Sequence, residues 1–267
     1  MKVILGIIIL GILTLGSCQP NVDGCQHPLS KNFEPEADQD PKDVCEYYQL
    51  QPTYRHTLNG IDTFIIGQAL VDMNGDTFLV NQVAFLGSNV HLIDGTGKEW
   101  TSLEEIVLYS QNSTPVNAED NFFIGRPTLA NYNAAGWVEL GVYDSIAFHI
   151  GLPVSMQTTK QTSVTESQHP LSNTAVFNMY TDSTNTYSAC KVQLTEKSTG
   201  RQMVLDIIDY VPFRFAKTVS VLDGFDTAIP IQINYGSLFD GVAVSTDTDS
   251  IIALKITQNL PNAFSVY

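Results

Sequence analysis

The chain has 267 residues, with 28 Asp or Glu against 13 Lys or Arg, and a formal charge of −15 at pH 7. That balance repels nucleic acid and anionic headgroups and argues against both as partners. A hydrophobic content of 43% is that of a globular chain with a sizeable core, in one large β domain or two small ones.

Lys2 opens the chain with a positive charge, and the run from Val3 to Leu15 is almost wholly apolar. It is shorter than the roughly 20 residues that a bilayer span needs. Charge, length and small-residue exit read as a secretory signal. The run ends in Leu15-Gly16-Ser17-Cys18, which resembles the lipobox of bacterial lipoproteins. The resemblance implies cleavage before Cys18 and a diacylglycerol on its sulfur. More than one acyl chain makes a durable membrane anchor. An ordinary signal peptide with a chance cysteine is the alternative. Gln19 follows, not the aspartate associated with inner-membrane retention, so the expected place is the outer membrane, facing the periplasm or the cell surface. Residues 1–17 are therefore read as signal, 18–51 as an anchored spacer and 52–267 as the folded domain.

The spacer is acidic and lacks apolar periodicity. Cys25 and Cys45 lie within it, and in an oxidising compartment they read as a disulfide. The stretch resembles the short cysteine-bracketed acidic repeats near the anchors of bacterial surface proteins. His27 stands where that pattern has aspartate, and the Asp-Gly-Ser before the second cysteine is missing. So small a segment cannot build a core, and the disulfide holds it together. Glu34, Glu36, Asp38, Asp40 and Asp43 are oxygen donors of the kind calcium takes. No EF-hand loop is present, and a spacer role is the simpler reading.

From Tyr54 onward, short β-rich runs recur between turn signals, as in an all-β sandwich or barrel. Strands are expected at 63–71, 78–85, 89–93, 105–109, 121–125, 137–142, 145–150, 190–194, 203–209, 213–222 and 229–234. Asn74-Gly75 and Asp94-Gly95 mark turns. Residues 155–178, rich in Thr, Ser, Gln and Asn, form a long polar loop, and loops of that length are usually functional or mobile. The alternation in Cys190-Lys191-Val192-Gln193-Leu194 puts Cys190 on an apolar face as a buried, inert thiol. One helix is expected at 250–260, capped by Thr248 or Asp249, with Ile251, Leu254, Ile252 and Ile256 sharing its stripe.

The order of certain phrases carries a second resemblance. Phe148-His149-Ile150-Gly151-Leu152-Pro153 is followed by His169-Pro170-Leu171-Ser172 and Asn178-Met179-Tyr180. Before them come Tyr54-Arg55-His56, Phe85-Leu86-Gly87-Ser88-Asn89-Val90-His91-Leu92 and Glu105-Ile106-Val107-Leu108-Tyr109. After them come Ile231-Gln232-Ile233-Asn234-Tyr235, Leu238-Phe239-Asp240-Gly241, Asn259-Leu260 and Ala263-Phe264. This order resembles the MbnP-like family of exported copper-binding proteins over roughly residues 52–267. It implies one antiparallel β-sandwich-like domain that binds copper outside the cytoplasm. The family signature M-[YF]-W-x-W-x-x-G-Y reads here Met179-Tyr180-Thr181-Asp182-Ser183-Thr184-Asn185-Thr186-Tyr187. Both tryptophans and the glycine are replaced, so a site built on a modified tryptophan at those positions is absent. Trp100 and Trp137 lie elsewhere.

Copper needs imidazole, thioether or thiolate ligands. The resemblance and the residue types point to His56, His149, His169 and Met179, with His91 a further candidate. No two histidines form a local H-x-H or H-x₃-H pair, so the fold must assemble any site. Taken singly, each histidine reads as a satisfied structural or surface imidazole and Met179 as core filler. No G-x-S-x-G elbow, P-loop, H-E-x-x-H or Cys–His nucleophile pattern is present. The pairs Glu104-Glu105 and Glu119-Asp120 are sequence neighbours whose side chains face opposite ways on a strand, although distant carboxylates can still converge. The expected function is copper binding or handling without catalysis. The alternative is a surface binding or scaffold lipoprotein that has lost the metal site and takes a glycan or a protein.

Overall fold

The computed structural model describes residues 21–41, 44–102, 104–137, 140–172 and 177–267. Cys18 and the signal run lie outside the described residues, as does Asp43. The chain divides into two compact units, one ending at Tyr47 and one spanning Tyr48–Tyr267.

In the first unit, Cys25 and Cys45 form a disulfide across 20 residues of sequence. Isolated bridges pair Asp23 with Gln39 and Cys25 with Phe33. Asn32 ties the ends together: its Nδ2 donates to Val44 O at 2.7 Å and its Oδ1 accepts from Glu46 N at 2.9 Å. Among its described apolar residues only Cys25 is fully buried, so the covalent link replaces a core.

In the second unit, the elements run β1 (Tyr48–Leu58), β2 (Asp62–Thr63), β3 (Ala69–Val71), β4 (Thr77–Ile93), β5 (Glu99–Trp100), β6 (Glu105–Tyr109), β7 (Pro115–Glu119), β8 (Phe123–Gly125), β9 (Ala135–Trp137) and β10 (Gly141–Ile150). Next come α1 (Val154–Gln157), β11 (Tyr180–Thr181), β12 (Thr186–Tyr187), β13 (Cys190–Glu196), β14 (Gln202–Ile207), β15 (Val211–Val221) and β16 (Thr227–Asn234). The chain closes with α2 (Tyr235–Leu238), α3 (Asp249–Ala263) and β17 (Phe264–Val266).

One sheet has the order β17-β16-β1-β2, with β9 also on β1. The other has the order β14-β13-β4-β10-β15, with β3, β5 and β8 also on β4. The pairings are antiparallel except β1 with β16, which is parallel. Apolar residues of the first sheet (Leu50, Ile229, Ile231, Ile233) share one buried cluster with those of the second (Val83, Phe85, Ile146, Phe148, Val192, Phe213). The result is an all-β, sandwich-like domain, as its alternating strands require.

β4 is its axis. Residues 83–88 are all buried, because β4 is covered on both faces, and 83–87 read accordingly as a run without polar side chains. Val83 and Phe85 enter the main core. Ala84 and Leu86 enter a second one with Leu108, Phe122, Leu152, Met156, Leu171, Met179 and Tyr187. The long polar loop is the cover of that second core: it holds α1 and a 3-10 turn at Gln161–Ser163, and Met156, Val164 and Leu171 point inward.

Several expectations are corrected. The strand at 63–71 is two strands on different sheets, β2 on β1 and β3 on β4, separated by Gly67 at φ +80°. The strands at 78–85 and 89–93 are the single β4, kinked at Asn89, whose φ is +53°. Of the strand expected at 137–142, Trp137 lies in β9 on one sheet, and Gly141 and Val142 lie in β10 on the other. The helix is longer than expected, and Thr248 is its cap, accepting from Ile251 N at 3.4 Å. Its inner stripe is Ile252, Ile256, Leu260 and Ala263, while Ile251 and Leu254 are exposed. Cys190 is a buried free thiol, and burial first, then Asp206, pushes its pKa up.

Candidate functional site

His56 sits on β1, facing α2. Its Nε2 lies 3.3 Å from Leu129 O, a carbonyl that only accepts, so Nε2 carries the proton. Its Nδ1 then accepts from the Tyr235 hydroxyl at 2.9 Å. Burial is the main cause that lowers its pKa to about 4, against the weaker pull of the Leu129 and Arg126 carbonyls. Both nitrogens are committed and the ring is neutral, so His56 has no lone pair to give a metal without breaking a hydrogen bond.

His169 is placed by the long loop. The Leu171 amide donates to its Nδ1 at 3.1 Å, so Nε2–H donates to Asp120 Oδ1 at 2.9 Å. Its side chain is only 7% exposed. The pair lies in a cleft of about 470 Å³ lined also by Glu104, Glu166, Tyr132, Gln49, Asn131, Asn133 and Gln168. The β6–β7 hairpin sets Glu105 opposite Glu119 and carries on so that Asp120 N donates to Glu104 O at 2.8 Å. One carboxylate from each sequence pair thus reaches the same cleft. Glu104 holds its proton more tightly than usual, first through burial, then through Asp120 and Glu166, although Gly136 N donates to it at 3.0 Å.

His149 stands on the outer face of the second sheet, with its neighbours Phe148 and Ile150 in the core. Between Ala147 and His149 the register with β4 shifts: Ala147 faces His91 and His149 faces Ser88. The extra β4 residue falls at Asn89 and Val90, and bulges of this kind re-aim side chains. Asn89 Nδ2 donates to the Tyr210 hydroxyl at 2.5 Å, and the Tyr210 ring stacks on His149 at 4.1 Å and 3°. The bulge therefore fixes Tyr210, and Tyr210 fixes the imidazole plane. His91, diagonal to His149 across the two strands, is near enough that its charge depresses His149 ionisation, second to burial. Its Nδ1 faces Glu99 Oε2 at 3.5 Å. Among the described residues, the buried side-chain polar atoms without a hydrogen-bond partner are Ser102 Oγ and His149 Nδ1.

Met179 is fully buried in the second core. His56, His149 and His169 do not gather as one set. Among the described residues, three or more His, Cys, Asp or Glu donors within 4.8 Å of one another occur at Cys25, Asp40 and Cys45. There the sulfurs are bonded to each other and cannot ligate as thiolates. Two of the spacer carboxylates serve their own backbone: Asp38 accepts from Val22 N and Glu34 from Glu36 N. For copper, the metal the family resemblance implies, the fitting feature is the orphaned nitrogen of His149. Sequence reasoning did not single out Tyr210, Asn89 or Glu99. Asn89 gave no alternation signal because the bulge consumes it, and Tyr210 sits just beyond a strand end.

No family model matches the sequence, and no curated protein matches it. Among solved structures, the chain aligns with MbnP from Methylosinus trichosporium at 12% identity and a TM-score of 0.42, over 78% of this chain and 88% of that one.

Proposed function

We propose that the chain is an exported lipoprotein, anchored through Cys18 at the outer membrane, whose large β domain is an MbnP-like module that binds copper without catalysis. Two things support this reading. The order of the phrases around His56, His91, His149, His169 and Met179 follows that family. The single observation that carries it is the buried, unpartnered Nδ1 of His149, a ring nitrogen held in place by a stacked tyrosine. Imidazole suits copper, nickel and zinc. His56 and His169 serve the fold, since each has both nitrogens bonded.

The test is a copper titration of the chain from residue 19, beside its His56→Ala/His169→Ala variant, with metal content measured after desalting. About one equivalent retained by both proteins supports the reading. Loss in the variant moves the ligands to His56 and His169, and no retention by the parent refutes copper handling. Anchoring is tested apart from this: Cys18→Ser should release the protein from membranes and abolish palmitate labelling.

A second reading is favoured by the Glu104–Asp120–Glu166–His169 cleft, whose carboxylates, amides and Tyr132 can bond a polar ligand. On it the protein is a surface binding lipoprotein for a glycan or another protein. Glycan-array binding that Glu104→Gln abolishes, with no copper retained, would select it.

A further inference from the structure

We propose that the cleft between the base of the β6–β7 hairpin, the 129–134 segment and the end of the long polar loop is a binding site for a small alkyl diamine, its ammonium groups held by Glu104, Asp120 and Glu166. The inference rests on the second reading above, that this cleft binds a polar ligand, and names the charge and chemical class of that ligand.

Each wall of the cleft is tied in place. The 129–134 wall is strapped to β1: Tyr54 N donates to Ala130 O at 2.8 Å, Tyr132 N to Pro52 O at 3.0 Å and Ala134 N to Leu50 O at 2.9 Å. On the hairpin side, Asp120 N donates to Glu104 O at 2.8 Å, and Gly136 N donates to Glu104 Oε2 at 3.0 Å. A Cβ at position 136 would lie 2.4 Å from Glu104 Oε1, so glycine leaves room for the carboxyl there. The loop end is pinned at three points. The Tyr132 hydroxyl donates to Gln168 O at 2.6 Å, the Tyr187 hydroxyl to Leu171 O at 2.7 Å, and His169 Nε2–H to Asp120 Oδ1 at 2.9 Å. The volume of about 470 Å³ falls within the roughly 300–1,000 Å³ of small-molecule sites. Walls fixed in advance leave little to be ordered on binding.

The lining selects the ligand's charge. Glu104, Asp120 and Glu166 face the cavity, and among the described residues that line it none is Lys or Arg. His169 brings no charge to offset them: its Nδ1 accepts from the Leu171 amide, so the ring is neutral. Like charges that share a site favour the protonated form. Glu104 shows this, after burial, through Asp120 and Glu166. The same two carboxylates, again after burial, hold the proton on Tyr132. A bound cation relieves the repulsion. The spacing of the donors selects the kind of cation. Among the described residues, no three of these carboxylates and His169 place donor atoms within 4.8 Å of one another, which is too open for one metal ion to take three of them directly. An alkylammonium donates three N–H bonds, which reach acceptors spread in this way. Phe122, Leu129, Ala134 and Pro170 supply apolar surface between the carboxylates, and that surface suits a methylene chain joining two ammonium groups.

The experiment is isothermal titration calorimetry of the full chain in detergent with 1,4-diaminobutane, at neutral pH and physiological salt. One equivalent should bind, and 1,4-butanediol, its neutral counterpart, should not. That comparison needs no variant to fold. Glu104→Gln and Asp120→Asn remove a charge and keep the shape, and each should weaken the diamine roughly 10-fold or more. A glycan array is probed with the same protein. Binding of the diol as tightly as the diamine overturns the proposal, and so does a diamine affinity that neither variant changes. Full displacement by an equal concentration of magnesium chloride would mark a loose counterion and overturn it as well. Glycan binding without diamine binding overturns the diamine and leaves the second reading standing. Binding of neither overturns the diamine and the glycan alike.

Discussion

Acidification from pH 7 to pH 4 should destabilise the large unit through His56. Its imidazole donates to Leu129 O and accepts from Tyr235, and Tyr235 is itself fully buried and stacked on Phe64 at 3.9 Å. A proton on Nδ1 would have to displace the Tyr235 hydroxyl and place a charge in this apolar setting. The folded-state pKa is therefore lowered from 6.5 to about 4. The unfolded chain takes its proton near 6.5 and the folded chain only near 4, so between these values the unfolded state binds more protons. Stability falls as pH falls through that window and flattens below it. The gap corresponds to about 3 kcal/mol. Urea denaturation at pH 7, 6, 5 and 4 measures it, with His56→Gln as reference because carboxylate titration is common to both proteins. The variant should be less stable at pH 7 and should lose about 3 kcal/mol less on acidification. Parallel pH profiles for the two proteins would refute the argument.

Gly87→Ala should cost on the order of 3 kcal/mol by overpacking, since the added Cβ would lie 2.0 Å from Phe123 Cζ and that ring is buried edge-on to Phe148. A thermal melt within a degree or two of the parent's would contradict this. Cys190 should resist a thiol reagent in the native protein and react fully in denaturant, because it is buried and its thiolate disfavoured; native-state labelling would show an opening that the packing does not allow. Reducing Cys25–Cys45 should remove about 3 kcal/mol from residues 21–47, read as faster amide exchange there, and unchanged exchange would mean the segment holds without its link.

The all-β sandwich was legible because alternation is a local signal: Cys190-Lys191-Val192 and Phe148-His149-Ile150 state their faces outright. The Cys25–Cys45 disulfide was legible because both cysteines fall in one short polar segment that has no core of its own. What stayed hidden depends on contacts distant in sequence. The β4 strand reads as two runs because Asn89 bulges, and Gly67 breaks what reads as one strand into pieces on two sheets. The polar loop conceals its role because Met156, Val164 and Leu171 are scattered without period, and only the second face of β4 shows what they cover. Of the expected helix stripe, Ile252 and Ile256 are buried while Ile251 and Leu254 are exposed, since neighbouring isoleucines look alike in sequence and packing alone selects between them. At the candidate site, residue types named His149, but its place on one face with His91 follows from the pairing of Ala147 with His91, and Tyr210 joins it through tertiary packing. The unpartnered Nδ1 of His149 depends on packing around the ring and leaves no mark in the sequence.

The most direct measurement is anomalous diffraction at the copper edge from crystals of the protein loaded with one equivalent of copper(II). The account predicts a peak beside His149 Nδ1, on the face shared with His91 and Tyr210, and none at His56. A peak in the His169–Asp120 cleft alone, or no peak at all, would contradict it.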